Sequence, residues 1–183
     1  VIVRLFKKKK LTKDDALEFM RSINASLPEF MELELENFYK RGLFVMKKNE
    51  LEGAKKKYVL MDENGKLKIR GFETIRRDWS NVAKETQLKI FNMILKDKSI
   101  EAPVEYARQV IDDIRKKKVP IEKMVIKTQL RKDIKHYDNI GPHVRVAEKM
   151  RNDNKLVGIG TIISYVITEG KGMIRVSAKI PEE

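Results

Sequence analysis

The chain has 183 residues, with 40 Lys or Arg against 27 Asp or Glu and a formal net charge of +13. Apolar residues make up 42%, enough to bury a core, which excludes a disordered basic tail. No apolar run reaches the roughly 18 residues of a membrane-spanning helix, and with no cysteine there is no disulfide, zinc ribbon or thiol nucleophile.

The surplus favours a polyanionic partner, nucleic acid before an anionic membrane surface. Its placement says more than its sum. From Phe38 to Arg77 there are twelve Lys or Arg against five Asp or Glu, a local net of +7. A generally basic, solvated surface is the alternative on charge alone. The start, Val1–Phe6 followed by lysines, has its charge on the wrong side for a signal peptide. Absence of cysteine suits a reducing compartment.

In chain order, Leu11–Ser26 reads as an amphipathic helix. Thr12 is placed to cap it, with Asp15 at the capping-box position and Asp14 in the first turn. Ala16, Phe19, Met20 and Ile23 form its apolar face, and Pro28 ends it. The period then changes to that of a strand. Met31, Leu33 and Leu35 alternate with Glu32, Glu34 and Glu36, so one face is apolar and the other acidic. The acidic face has two readings: a solvated strand beside lysines, or carboxylates near a divalent metal that handles phosphate.

Leu43–Met46 and Tyr58–Met61 are short strand-type runs, separated by a polar loop over Asn49–Gly53. Asp62–Gly65 is a turn signal whose Asn-Gly pair suits a tight hairpin, and Lys66–Arg70 alternates as the returning strand. Leu43–Arg70 is therefore expected as a small antiparallel sheet carrying the densest basic cluster. Ser80 is placed to cap a helix with the stripe Ala83, Ile90, Phe91, Ile94 and Leu95. A second helix begins near Glu101, tolerates Pro103 in its first turn and ends before Pro120. The two should pack as an antiparallel pair. Met124–Leu130 is strand-like, and Gly141-Pro142 opens a helix with Val144, Ala147 and Met150 inward. Ile162–Ile167 is a buried strand, turned back by Gly170–Gly172 toward Met173–Val176.

Several enzyme classes find no support. There is no G-x-x-x-x-G-K-[ST] loop, no G-x-G-x-x-G after a strand and no G-x-S-x-G elbow. His136 and His143 fall on different expected elements and do not read as a catalytic pair. The strongest local feature is Lys55-Lys56-Lys57-Tyr58 leading into a strand. Strand alternation puts Lys56 and Tyr58 on one face, where an ammonium and a phenol suit a nucleic-acid groove. Arg76-Arg77-Asp78-Trp79-Ser80 sits at a strand-to-helix junction. Its arginines can grip phosphates, Asp78 can orient one of them, and Trp79 reads as a core residue.

These motifs occur in a familiar order. Phe38–Val45, Lys55–Tyr58, Asp62–Lys66, Arg70-Gly71 and Arg76–Ser80 resemble, in series, the archaeal family B DNA polymerases. Ile140–Val144 and Gly160–Tyr165 are similar to segments of that family's thumb, so the resemblance runs from Leu11 to Glu183. It implies an α+β fold: the C-terminal edge of a palm sheet over 1–45, and over 46–183 a mainly helical thumb. Within the thumb fall a basic sheet at 43–70, a helical region at 78–150 and terminal strands at 160–177.

The family's palm carries an Asp-Thr-Asp-type turn for two catalytic metal ions, and no such turn stands in this sequence. The resemblance therefore implies a DNA-directed DNA polymerase component, inactive alone. A larger partner would carry exonuclease, fingers and catalytic palm. The small subunit of a split enzyme is the leading arrangement and a fragment of a longer chain the second. Other implied partners are primer–template DNA, deoxynucleoside triphosphates and a sliding clamp, with a cytoplasmic, nucleoid-associated location and no membrane.

Residue by residue, the family's K-K-[RK]-Y motif falls on Lys55, Lys56, Lys57 and Tyr58, with Lys56 and Tyr58 meeting the duplex through the minor groove. Lys47-Lys48 is a second basic run to which the motif could be fitted; the spacing to the Asp-Glu-Asn-Gly-Lys turn favours Lys55–Tyr58. Arg70, Arg76, Arg77 and His143 are the other implied DNA contacts. Glu34 and Glu36 match auxiliary carboxylates near the metal site, and Mg2+, bound mainly by the partner, is the implied cofactor. A stand-alone basic nucleic-acid-binding protein without catalytic activity is the competing class.

Overall fold

Thr12 starts the first helix by the device its sequence advertises. In the computed structural model, which describes residues 12–46, 53–97, 100–169 and 176–179, its hydroxyl accepts from the Asp15 amide while Asp15 accepts from the Thr12 amide. Helix α1 then runs Lys13–Asn24. Strands follow at Tyr39–Met46 (β1), Gly53–Asp62 (β2) and Leu67–Arg70 (β3), forming one sheet in the order β1-β2-β3. Helix α2 spans Asn81–Asn92 and is extended by one wider π-type turn, Met93–Asp97. Helix α3 covers Glu101–Arg115, and the single turn α4 covers Ile121–Met124. Strand β4 (Ile126–Gln129), helix α5 (Pro142–Asn152), and strands β5 (Ile162–Glu169) and β6 (Val176–Lys179) complete the order. The chain is thus mixed α+β, with two small sheets and several helices. The Val1–Phe6 start, Leu11, the Lys47-Lys48 run and most of the Asn49–Gly53 loop lie outside the described residues, as do Gly170–Gly172 and Met173.

The chain divides into two compact units, 1–42 with 60–68 and 43–59 with 69–183. In the first unit, the expected strand over Met31–Glu36 does not form. Regular strand needs a neighbour to take its amides, and here a side chain substitutes. The Asn24 carboxamide donates to the Leu33 carbonyl at 3.0 Å and accepts from the Leu33 amide at 2.9 Å. Leu33 is half-buried, whereas Met31 and Leu35 stay exposed, as does Phe30. The turn at Asp62 also differs from a two-residue Asn-Gly hairpin. The Asp62 amide donates to the Lys66 carbonyl, Gly65 takes the left-handed φ of 80°, and the Asp62 carboxylate accepts from the Asn64 and Lys66 amides. The longer loop arises because Asp62 supplies its own acceptor for the turn amides.

In the second unit, Phe72 meets Phe91 of α2 edge-on at 4.7 Å, and both are buried, as is Leu95 one turn further on. This aromatic pair, and not Trp79, is buried here. The tryptophan instead lies at the turn before α2, 41% exposed, which corrects its reading as core. Ser80 holds the N-cap position of α2 with extended backbone, but its side chain makes no capping bond. Helices α2 and α3 pack together, with the Lys89 ammonium 4.3 Å from the Tyr106 ring.

The main core lies further along the chain. Leu130, Ile134, Val144, Val146, Ala147, Ile163 and Tyr165 pack where α5 covers the second sheet. That sheet is antiparallel in the order β4-β5-β6, with Ile126 opposite Tyr165 and Val166 opposite Lys179. Pro142 occupies the first turn of α5, where its missing amide costs nothing.

Candidate nucleic-acid interface

Strand β2 positions the basic motif, and it does so with an irregularity. Lys56 has φ 59°, left-handed backbone within a strand. A non-glycine residue there is uncommon and interrupts the two-residue alternation. Lys56 and Tyr58 therefore do not share a face by regular alternation, which corrects that expectation. Beyond Lys56 burial does not alternate either, because Val59, Leu60 and Met61 are buried in succession. Val59 is fully buried, while Tyr58 lies against Phe44 of β1 with ring centroids 6.2 Å apart. Lys56 itself is exposed. The Lys55 side chain lies outside the described residues.

The approach of the chain to Lys56 is close. Gly71, just after β3, has φ +70°, and a Cβ built on it would stand 2.2 Å from the Lys56 carbonyl oxygen. Only glycine accommodates both the φ and the contact.

Lys57 is differently occupied. Its ammonium lies 3.3 Å from Glu73 and 5.0 Å from the Phe72 ring centroid. Glu73 in turn accepts from the Gln87 amide nitrogen at 2.9 Å, and the Gln87 oxygen accepts from the amide and the hydroxyl of Thr74. Gln87 on α2 is thus tied through the turn at Glu73–Ile75 to β2. The Gln87 hydrogen bond is the leading cause that holds the Glu73 carboxyl below its ordinary range, with Lys57 adding to it. Sequence reasoning grouped Lys57 with the DNA contacts. The structure gives its charge a partner within the fold.

Arg70 ends β3 exposed. Arg76 and Arg77 are exposed in the turn before α2. Asp78 grips the Arg76 guanidinium with both oxygens, from Nε at 2.9 Å and from Nη2 at 2.6 Å. This fork fixes the plane of the guanidinium and raises its pKa further, while lowering that of Asp78. The charge of Arg131, on the loop after β4, also lowers the Asp78 pKa, as the least of its causes. The Tyr137 hydroxyl shapes that loop by accepting from the amides of Arg131 and Lys132. Sequence reasoning missed Arg131. The basic run Arg131-Lys132, Lys135-His136 was its available signal.

His143, in the first turn of α5, meets Tyr137 edge-on at 5.7 Å. Burial pushes its pKa below the ordinary 6.5, so at neutral pH it offers a neutral imidazole rather than a cation. His136 is exposed on the preceding short turn.

Glu34 and Glu36 belong to the first unit and are exposed. Lys68 pairs with Glu36 and also lies over the Tyr39 ring. Among the described residues no three His, Cys, Asp or Glu converge as a cation site. The two glutamates are hard oxygen donors of the kind Mg2+ takes, but they do not form a cage and Glu36 already faces an ammonium. No helix among the described residues is long and apolar enough to cross a membrane.

The comparisons with known proteins agree with this architecture. The family model for DNA polymerase family B matches residues 4–182, and the chain belongs to that family. The DNA polymerase of Methanocaldococcus jannaschii is 43% identical over 180 residues, which is 96% of this chain and 10% of that protein. The Thermococcus litoralis DNA polymerase is 46% identical over 167 residues, 91% of this chain and 9% of that protein. Among solved structures, the family B DNA polymerase of Pyrobaculum calidifontis superposes with a TM-score of 0.66 at 29% identity, covering 92% of this chain and 21% of that one. The chain thus spans about a tenth of these curated relatives and about a fifth of the solved polymerase.

Proposed function

We propose that this chain is the palm-edge and thumb portion of a family B DNA polymerase and that its task is to hold primer–template duplex. The observation that carries the reading is the exposed Lys56 beside Tyr58 on β2, within a chain that belongs to this family. Residues 1–45 form the palm edge and 46–183 the thumb.

Lys56 and Tyr58 face the minor groove, whose acceptors are similar for every base pair, so they sense pairing without preferring a sequence. Arg70, Arg76 and Arg77 take backbone phosphates, which fixes register without reading bases. The fork from Asp78 presents Arg76 ready-oriented. His143 adds a neutral donor. The contribution to catalysis is positional: a primer end held in line lowers the barrier without any bond made by these residues.

The sequence contains no Asp-Thr-Asp turn, so nucleotidyl transfer to deoxynucleoside triphosphates rests with the remainder of the polymerase. Mg2+ would be held mainly by that remainder, where it would supply Lewis-acid chemistry, with Glu34 and Glu36 as auxiliary carboxylates. A separate larger subunit is the arrangement proposed. The mass of the native polypeptide, measured on protein isolated from its source, distinguishes this from one longer chain.

The direct test is duplex binding and primer extension in the polymerase containing this chain. Lys56→Ala with Tyr58→Ala weakens primer–template binding by about 1–3 kcal/mol in total. Unchanged affinity and unchanged extension would remove the motif from the interface. The 183-residue chain alone is expected to extend no primer; extension by it would overturn the dependence on a catalytic remainder.

A further inference from the structure

We propose that Gly71 is a positioning residue for Lys56: its bare backbone holds Lys56 in left-handed geometry and so aims the lysine at the duplex. The inference rests on the reading of Lys56 as a DNA contact and goes beyond it, because Gly71 has no side chain with which to touch DNA.

Three observations carry it. Lys56 is a non-glycine residue at φ 59° inside β2, a conformation that persists only where the surroundings impose it. Gly71 is itself at φ +70°, and a Cβ there would stand 2.2 Å from the Lys56 oxygen and 3.1 Å from both the Lys56 carbonyl carbon and the Lys57 Cα. Those contacts are backbone, so no side chain can swing away to relieve them. Finally, the next residue is anchored: Lys57 is held by Glu73, which Gln87 holds in turn. With Lys57 tethered and Gly71 against the Lys56 carbonyl, the backbone between them has little freedom. A regular strand would place the side chain of residue 56 by alternation alone. The left-handed kink re-aims it, at a cost in stability that the fold retains.

The test is a thermodynamic cycle on duplex affinity, with salt dependence, in the polymerase containing this chain. The probe is a primer–template duplex titrated over a range of NaCl concentrations. Lys56→Ala is expected to weaken binding five- to tenfold and to reduce the slope of log affinity against log salt by about one, because one cation that displaces counterions from the duplex is lost. Gly71→Ala is expected to do the same, and the double variant to bind no worse than either single one, because both remove one interaction.

Lys57→Ala is expected to reduce the slope as well, by less than Gly71→Ala, because it releases the tether on the residue that follows Lys56. Lys56→Gly reports the strain separately, melting about 2–4 °C above Lys56→Ala because glycine tolerates the left-handed φ. Where Gly71→Ala fails to fold, this melting difference together with the Lys57→Ala slope decides the matter. Should Lys56→Ala leave affinity and slope untouched, the DNA-contact reading itself falls. Should Lys56→Ala weaken binding while Gly71→Ala does not, or should the two effects add, only the positioning role falls. Equal melting of Lys56→Gly and Lys56→Ala would also overturn it.

Discussion

Lys56, Tyr58 and Arg76 sit on three different local devices: a left-handed kink, an aromatic contact across strands and a carboxylate fork. Each fixes a direction that residue type alone does not specify. His143 shows the converse, where surroundings change a residue's chemistry. Its folded pKa lies below 6.5, so between that folded value and 6.5 the unfolded chain binds the extra proton. Its contribution is therefore lost as pH falls below about 6.5, and stability rises with pH through that window. His143→Phe should flatten the slope of melting temperature against pH between about 5 and 7, measured by circular dichroism. Glu34 and Glu36 are testable in the same spirit. Removing both carboxylates should alter the Mg2+ titration of primer extension or the balance of synthesis and editing. Identical titrations would assign the pair to a solvated acidic segment.

At the scale of elements, the sequence was legible where one periodicity or one cap decided the outcome. Thr12 with Asp15 starts α1, Pro142 starts α5, and the Phe91 and Leu95 stripe is buried as its spacing predicts. It misled where the outcome depended on a neighbour. Met31–Glu36 has strand period, yet Asn24 takes the backbone groups of Leu33 and no strand forms there. Trp79 is apolar in type, yet it is exposed while Phe72 and Phe91 are buried.

The network joining β2, the turn at Glu73–Ile75 and α2 depends on Gln87, a residue without any sequence signature. Gln87→Ala should destabilise the fold by about 1–3 kcal/mol, measured by urea denaturation, because the Thr74 donors and the Glu73 carboxylate lose their partner. Glu73 has a folded pKa below 4.5, so its contribution is present above that value and is lost as pH falls through the depressed one. Since the Gln87 hydrogen bond is the leading cause, Gln87→Ala should also lessen this acid dependence.

Over the whole molecule, two kinds of apolar residue have different consequences. Ile163 is fully buried in the second unit's core, and Ile163→Ala should cost about 2–5 kcal/mol, measured as unfolding free energy. Phe30, Met31 and Leu35 are exposed in the first unit, and polar substitutions there should leave stability nearly unchanged.

By itself the sequence determined the order and type of the longer elements, the caps, the address of the basic surplus and, through its ordered motifs, the polymerase family. These depend on local spacing or on chain order, which the sequence states outright. Tertiary structure alone decided that Lys56 is kinked against Gly71, that Lys57 is held by Glu73 and Gln87, and that Met31–Glu36 goes without a sheet. Each of those follows from contacts between residues distant in the chain, and neither periodicity nor composition records which distant group will arrive.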